Sequence, residues 1–274
     1  MDDRPRACRE WEMDAFRTKF VRFIKRKIYG PRVQIVDHPH LLRLGSEYGG
    51  WVFAPDDSLV GATILSCGLG EDASFDIEIA RLYQAQVVIV DPTPRAITHF
   101  NELMLRMGLP STMAYSKGGY QELKSYDLRE ISPQQFSLIP VALSDKVGVA
   151  KFFSPPNLLD VSHSLVNFQN SYSSNTPYIT VPTVDIKTLV SDQNLKAIAI
   201  AKFDIEGAEI QVIPLMLANG ILPNQILVEY DELNFPSPRG RKNFRAVHRL
   251  IQKAGYETVW FDGRSCLSYQ LPAS

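Results

Sequence analysis

Apolar positions along this chain change period repeatedly, and the changes outline its elements. "ATILSCG" (62–68) and "QVVIVD" (86–91) are nearly unbroken apolar runs of strand length, the pattern of strands covered on both faces. Between them "ASFDIEIARLYQ" (73–84) switches to helical spacing, with Phe75, Ile79 and Leu82 on one face and Ile77 and Ala80 beside it. "PRAITHFNELMLRMG" (94–108) predicts a second helix, with proline in its first turn and glycine after its last. Three more strands are predicted at "FSLIPVALS" (136–144), "AIAIAKFD" (197–204) and "QILVEYD" (225–231). A helix follows the second of these, to Asn219-Gly220, and another follows the third, over 241–254. "ETVWFD" (257–262) and "CLSYQL" (266–271), joined by "GRS", predict a closing pair of strands.

Upstream, "RVQIVD" (32–37) and "WVFAP" (51–55) are short strand candidates flanking the glycine turn "LGSEYGG" (44–50). Residues 9–29 place Trp11, Ala15, Phe20, Ile24 and Ile28 at near-helical spacing, with Lys19, Arg22, Lys25 and Arg26 crowding the rest. That is a basic amphipathic helix, read first as a packing helix with a solvated charged face. Strand–helix alternation predicts an α/β fold: a doubly wound, mostly parallel, Rossmann-like sheet with an antiparallel C-terminal strand at or near one edge. The expected organisation is an N-terminal helical and strand extension (1–44) and one Rossmann-like domain (45–274). The Ser-, Asn- and Pro-rich segment 155–178 interrupts that domain, at a length typical of functional lids.

Composition narrows the class without naming it. The chain has 274 residues, 45% hydrophobic and 22% charged, with a net charge of -1. No overall field points to nucleic acid or to an acidic membrane. Cys8, Cys67 and Cys266 match no zinc spacing and cannot all pair, which fits a reducing, cytoplasmic setting. "MDDRPRACREWEMD" lacks the apolar core of a secretory signal, and no apolar run reaches about 18 residues, the length a membrane span needs.

Chemistry concentrates in two stretches. Gly68, Gly70 and Ala73 fit G-x-G-x-x-A, and Asp91 ends the next strand, the arrangement that holds a nucleoside-type cofactor. The turn alone does not choose between a dinucleotide and S-adenosylmethionine. Glu71 and Asp72 put negative charge where a pyrophosphate would want a bare helix N-terminus, which favours a cofactor bearing an ammonium and a sulfonium. In "KFDIEGAEI" (202–210), Asp204 sits at a strand's carboxyl end, Glu206 follows, Gly207 permits close approach and Glu209 opens a helix. Glu229 ends the neighbouring strand. Carboxylates gathered at one sheet edge call for a cation, a proton or a basic partner among them.

With these stretches together, "SCGLGEDASFDIEIA", "VIVDPTPRAI", "VALSD" and "AKFDIEGAEI", the sequence resembles the FkbM-type methyltransferases over roughly residues 45–232. The resemblance implies the class I methyltransferase fold, S-adenosyl-L-methionine as cofactor and O-methylation of a small natural product, sugar or lipid. It places Gly68 and Gly70 along the methionine portion, with Glu71 and Ser74 in the same cofactor-binding stretch. It places Asp91 on the ribose diol, and Ala142, Leu143 and Ser144, with Asp145 nearby, by the adenine. Asp204 would face the reacting centre and the cofactor, and Glu206 the substrate side, as the preferred catalytic pair. No resident metal is expected. The implied partner is a small-molecule acceptor, with no nucleic acid and no transmembrane segment, and a homo-oligomer is left open. Ser66 stands where many methyltransferases carry an acid, and Pro214 falls inside a helix that usually lacks proline, so a kink or shortening is expected there.

Several other positions carry weaker signals. His163, in the long loop, is an alternative base; His38 and His40 lie near the N-terminal turn; His99 and His248 read as structural. Cys67 reads as a small buried residue. Tyr48 in "SEYGGW", and "DELNFPSPRGR" (231–241), are candidates for ligand contacts. Two other functions fit the same turn: an NAD-dependent oxidoreductase, and a non-catalytic module that keeps only the cofactor pocket.

Overall fold

The computed structural model describes residues 27–157, 161–167, 169–170 and 172–272. The basic stretch 9–29 lies outside them except for its last three residues, which are helical. Strands β1 (Leu42–Leu44) and β2 (Trp51–Phe53) pair antiparallel around the glycine turn. Then follow β3 (Thr63–Cys67), α1 (Ser74–Tyr83), β4 (Gln86–Val90), α2 (Pro94–Met104) and β5 (Phe136–Ile139). Next come β6 (Ala142–Ser144), β7 (Gly148–Phe153), β8 (Tyr178–Asp185) and α3 (Ile186–Asp192). The chain finishes with β9 (Ile200–Phe203), α4 (Glu209–Ala218), β10 (Gln225–Glu229), α5 (Asp231–Asn234), α6 (Pro238–Lys253), β11 (Glu257–Phe261) and β12 (Cys266–Gln270).

The main sheet has seven strands in the order β11-β12-β10-β9-β3-β4-β5. Neighbours from β10 to β5 are parallel; β12 runs antiparallel between β10 and β11, one place in from the edge. This is the Rossmann-like sheet that the alternation predicts. Its strands are apolar throughout because alternate residues enter two different cores. Ile64, Val87, Ile89, Ile200 and Leu227 pack with Phe75, Ile79 and Phe100 of α1 and α2. Leu65, Cys67, Val88, Val90, Ala201 and Phe203 pack with Val212, Met216 and Phe244 of α4 and α6. Helices on both faces leave no polar face for water, so the period-two signal vanishes from the sequence.

Four expectations are corrected. "RVQIVD" forms no strand: Ile35 and Val36 are exposed, and only the Val36 amide reaches the sheet, donating to the Thr258 carbonyl at 2.8 Å. Pro31 and Pro39 bracket the segment, and of its apolar side chains Val33 alone packs against the core, too little to make a strand of it. "FSLIPVALS" is two strands, β5 and β6, because Pro140 offers no N–H to the ladder and the chain leaves the main sheet there. The helix from Pro94 ends at Met104, before its last predicted residues, which form turns leading to Gly108 at φ +84°. Pro214 neither kinks apart nor shortens α4, which runs unbroken over Glu209–Ala218.

A second sheet, in the order β6-β8-β7, was not legible in the pattern. Pro182 lies inside β8 and argues against a strand there. It is tolerated because β6 pairs only with Thr183–Asp185, which leaves one side of β8 open at Pro182. The long 155–178 segment spans the gap between β7 and β8, so this small sheet anchors both of its ends.

Candidate active site

The chain leaves β3 for β4 and β5 in one direction and returns through β9 on the other side. The carboxyl ends of β3 and β9 therefore flank a topological switch point, where open α/β sheets take their ligands. A cavity of about 770 Å³ opens there. Its walls run from the 47–51 turn and the glycine turn, past Asp91 and Ala142-Leu143, to the ends of β9, β10 and the β11–β12 turn. Residues of the long loop, including Val161, His163 and Gln169, form its outer wall.

The glycine turn is held more tightly than its sequence reveals. Gly68 has φ +89°, and a Cβ there would lie 1.9 Å from the Asp204 carbonyl oxygen. The close approach that this glycine permits is therefore first to the neighbouring strand's backbone. Asp91 Oδ2 accepts from the Leu69 and Gly70 amides at 2.8 and 3.0 Å, while its Oδ1 accepts from the Thr93 amide at 2.8 Å. The Ala73 amide donates to the Tyr126 hydroxyl at 3.0 Å, and the Ser74 amide to Asp72 Oδ1 at 3.0 Å. Every one of these N–H groups already has an acceptor inside the protein.

The two acids after the turn are also engaged. Glu71 lines the cavity and forms an ion pair with Arg95 at 2.5 Å. Asp72 Oδ2 accepts from the Ser46 hydroxyl at 2.5 Å and from Gln121 at 3.1 Å. The Ser46 amide in turn donates to the Ser74 hydroxyl at 2.7 Å, so the turn carrying Tyr48, Gly49 and Gly50 is pinned to the start of α1. Ser74 is fully buried and does not line the cavity; it holds the wall rather than forming it.

Four carboxylates converge on the far half of the cavity: Asp204, Glu206, Glu229 and Asp231. Burial, then repulsion from Glu229, lifts Asp204 to about 7, against the pull of Lys202. Burial and the charges of Asp231 and Asp204 hold Glu206 well above the ordinary glutamate value. Glu206 has a left-handed backbone at φ 55°, a strained conformation for a residue with a side chain. The long loop holds it there: the Ser164 hydroxyl donates to the Glu206 carbonyl at 2.5 Å, and Gln169 Nε2 to Glu206 Oε2 at 2.9 Å. Glu209 does not line the cavity; its Oε1 accepts from the Ile205 and Gly207 amides at 3.0 and 3.3 Å and so fixes the "DIEG" turn.

Lys202 is the buried, cavity-lining cation that sequence reasoning missed. It is 4% exposed, sits beside Ser66 in the β3–β9 ladder, and donates to the Gly68 carbonyl and, at 3.4 Å, to the Ser66 hydroxyl. Its ammonium lies 5.7 Å from the centre of the Trp51 ring. Asp76 of α1 is also buried; burial raises its carboxyl, and the Lys202 charge and then a hydrogen bond from Ser66 partly offset that effect. Ser66 in place of an acid is thus matched by a buried cation. Lys202→Met should cost about 3–5 kcal/mol, because it strands Asp76 without a counter-charge. Urea unfolding checks this: the Lys202→Met/Asp76→Leu double variant should recover most of the loss. Simple additivity of the two single losses would disprove the coupling.

The remaining predicted positions divide clearly. Gly68, Gly70, Glu71, Asp91, Ala142, Leu143, Asp204 and Glu206 all line the one cavity; Ser144 and Ser74 do not. Ser144 instead donates to Asp145 at 3.1 Å. His163 lines the cavity and stacks on Phe152 at 5.5 Å. His99 is buried against the Tyr126 hydroxyl at 2.8 Å, and burial lowers its pKa to about 4, so it is a neutral structural group. His248 likewise meets the Tyr269 hydroxyl at 2.9 Å, and His38 and His40 lie on the surface away from the cavity. Burial pushes the Cys67 thiol up, the opposite of what a nucleophile needs. Among the described residues no cluster of three or more His, Cys, Asp or Glu is disposed to hold a metal ion, and no helix is long and apolar enough to cross a membrane.

Comparison with known protein families gives one match: residues 60–258 fit the family described as the methyltransferase FkbM domain. No curated protein and no solved structure matches the chain.

Proposed function

The chain belongs to the FkbM methyltransferase family, and from that premise we propose that it carries a methyl group from S-adenosylmethionine to a hydroxyl oxygen of a small molecule, of the natural-product, sugar or lipid class. The observation that carries the choice of donor is the state of the glycine turn. A pyrophosphate needs free N–H groups at a helix N-terminus. Here the amides of Leu69, Gly70, Ala73 and Ser74 all have internal acceptors, three of them on carboxylates. Carboxylates line the cavity on both sides of that turn. An onium compound suits such walls, and a diphosphate does not. The same observation, together with the family, sets aside the NAD-dependent oxidoreductase.

In this reading Gly68 and Gly70 flank the methionine portion, Ala142 and Leu143 the adenine, and the lone pairs left on Asp91 take the ribose hydroxyls. Ser74 and Glu71 support the turn from behind and from the side. Bound there, the donor supplies an electrophilic methyl group on a sulfonium. The protein's part is to align an acceptor oxygen in line with that methyl group and to exclude water, which the long loop serves by closing the outer wall. It must also remove the hydroxyl proton. Asp204, lifted to about 7, is matched to that task near neutral pH, and Glu206 is the neighbour that can pass the proton outward.

Isothermal titration with S-adenosylhomocysteine tests the donor. Binding of the demethylated product, with no heat from NADH, is the expected result. Tight NADH binding with none of S-adenosylhomocysteine would end this reading.

A further inference from the structure

Helix α6 carries charge of one sign on one side. Its sequence, PRGRKNFRAVHRLIQK, holds six Lys and Arg and no Asp or Glu, in a chain whose 29 basic and 30 acidic residues nearly balance. Phe244, Val247 and Ile251 pack it into the core. Arg239, Lys242, Arg245, Arg249 and Lys253 are exposed on the other side, with the exposed Leu250 beside them. Their spacing of three or four residues makes one continuous stripe, about 21 Å long at the rise of an α-helix. Arg239 acts on the half-buried Glu232; the other four enter no ion pair among the described residues. Like charges at that spacing repel and weaken a helix, and no acid of α6 itself answers them. The complement of this face is an external anion.

A second basic stretch reaches the same helix. Arg241 Nη1 donates to the Ile28 carbonyl at 2.9 Å, which brings the end of the stretch 9–29 against the first turn of α6. In sequence, Arg17, Lys19, Arg22, Lys25, Arg26 and Lys27 precede that contact with no acid among them, interleaved with Phe20, Phe23 and Ile24. Basic residues mixed with aromatic and branched apolar ones suit an interface that offers anions with hydrocarbon just beneath. A nucleic-acid duplex presents the anions without the hydrocarbon. The cavity lies at the edge of this face: Asn234 and Phe235 line it, Phe235 is 44% exposed, and α6 starts three residues later at Pro238.

We propose that α6 and the basic stretch that meets it at Ile28 form a docking face for an anionic phospholipid bilayer, with the cavity beside it. This goes beyond the methyl-donor reading and does not depend on it. Each Lys or Arg held near such a surface is worth about fivefold in affinity, and clusters of this size are what anionic headgroups retain. The near-zero charge of the whole chain does not cancel the attraction, because charges more than about 8 Å from the surface are screened at physiological salt.

Co-sedimentation of the full chain with phosphatidylcholine vesicles, with and without phosphatidylserine, tests the face, with a mixed-sequence DNA duplex as competitor. Binding to the serine-containing vesicles, little binding to the neutral ones and release at high salt are expected. Arg245→Glu/Arg249→Glu should weaken vesicle binding by at least about tenfold, with the melting temperature of the parent. Arg81→Glu/Lys124→Glu makes the same change of charge on the other side of the main sheet, and should bind within about twofold of the parent. Equal binding to neutral vesicles, no vesicle binding, binding that survives high salt, or a duplex retained against excess phosphatidylserine vesicles overturns the docking face. So does unchanged binding by Arg245→Glu/Arg249→Glu, or an equal loss in Arg81→Glu/Lys124→Glu. The S-adenosylhomocysteine titration is a separate measurement, and its failure would leave this result standing.

Discussion

Asp204→Asn is expected to lose methyl transfer by about 10²–10⁴-fold, the usual weight of a general base, and yet to melt higher than the parent protein at pH 8. Both effects come from one cause. Asp204 sits among Glu229, Asp231 and Asp91, and its pKa is raised from the ordinary aspartate value to about 7, by burial first and by those charges second. A carboxyl raised on folding favours the folded state while it is protonated. Its contribution is whole below about pH 4 and is lost as pH rises through about 7. At pH 8 the parent protein therefore carries an ionised group that folding disfavours, and the amide does not. The group is open to the cavity, which reduces the penalty to about 2 kcal/mol, or a few degrees in melting temperature. At pH 5 the gap should shrink to about a third, since the carboxyl is then neutral in the folded state and ionised only in the unfolded one. S-adenosylmethionine should reverse the order at pH 8 by stabilising only the carboxylate form. Melting curves at the two pH values, with and without donor, check each part. A less stable Asn variant at pH 8 would mean that Asp204 is held by contacts rather than poised for chemistry.

How much of this was legible follows from where the signals lie. The main sheet was readable because β3, β4, β9 and β10 are apolar runs separated by helical spacing, and each run is covered on both faces. The small sheet was not, because β6 is only three residues long, β7 and β8 are largely exposed, and the pattern is broken by Pro182 and by the polar residues 144–146. "RVQIVD" shows the converse: strand-forming residues without a partner to pair with do not make a strand. In the site, motif spacing delivered the residues fixed to strand ends, Gly68, Asp91, Asp204 and Glu206, because topology alone carries them to one edge. Ser74 and Ser144 fell outside the cavity because a motif gives neighbours in sequence and not the direction of a side chain. Lys202 was hidden because a lysine in an apolar strand gives no sign of what neutralises it; Asp76, its counter-charge, arrives from another element. Asp231 was legible only as the end of "QILVEYD" and the start of the candidate contact stretch 231–241, and its place beside Glu206 is a property of packing.

Gly68 and Gly70 should behave very differently when each is replaced by alanine, although they belong to one motif. Gly68→Ala is expected to cost more than about 5 kcal/mol and to leave little soluble protein. A left-handed alanine alone costs about 1–2 kcal/mol. The rest comes from the Cβ that would sit 1.9 Å from the Asp204 carbonyl oxygen. Nothing there can yield cheaply. The Gly68 amide is bonded to the Val90 carbonyl at 3.0 Å, the Asp204 amide to the Cys67 carbonyl at 2.9 Å, and Lys202 holds the Gly68 carbonyl from below. Relief requires parting β3 from β9 at the switch point, which dismantles the floor of the site. A loss of that size is a large share of the roughly 5–15 kcal/mol that holds a domain together. At Gly70, with φ +58°, an added Cβ meets only Val161 Cγ2 at 3.5 Å, an ordinary contact. Gly70→Ala should therefore fold with a loss of about 1–2 kcal/mol, and its defect should appear in the titration with S-adenosylhomocysteine. Comparable soluble yields and melting temperatures for the two variants would show that the first glycine faces a ligand and not the neighbouring strand. The physical ground for reading the motif as one half structure and one half binding surface would then be gone.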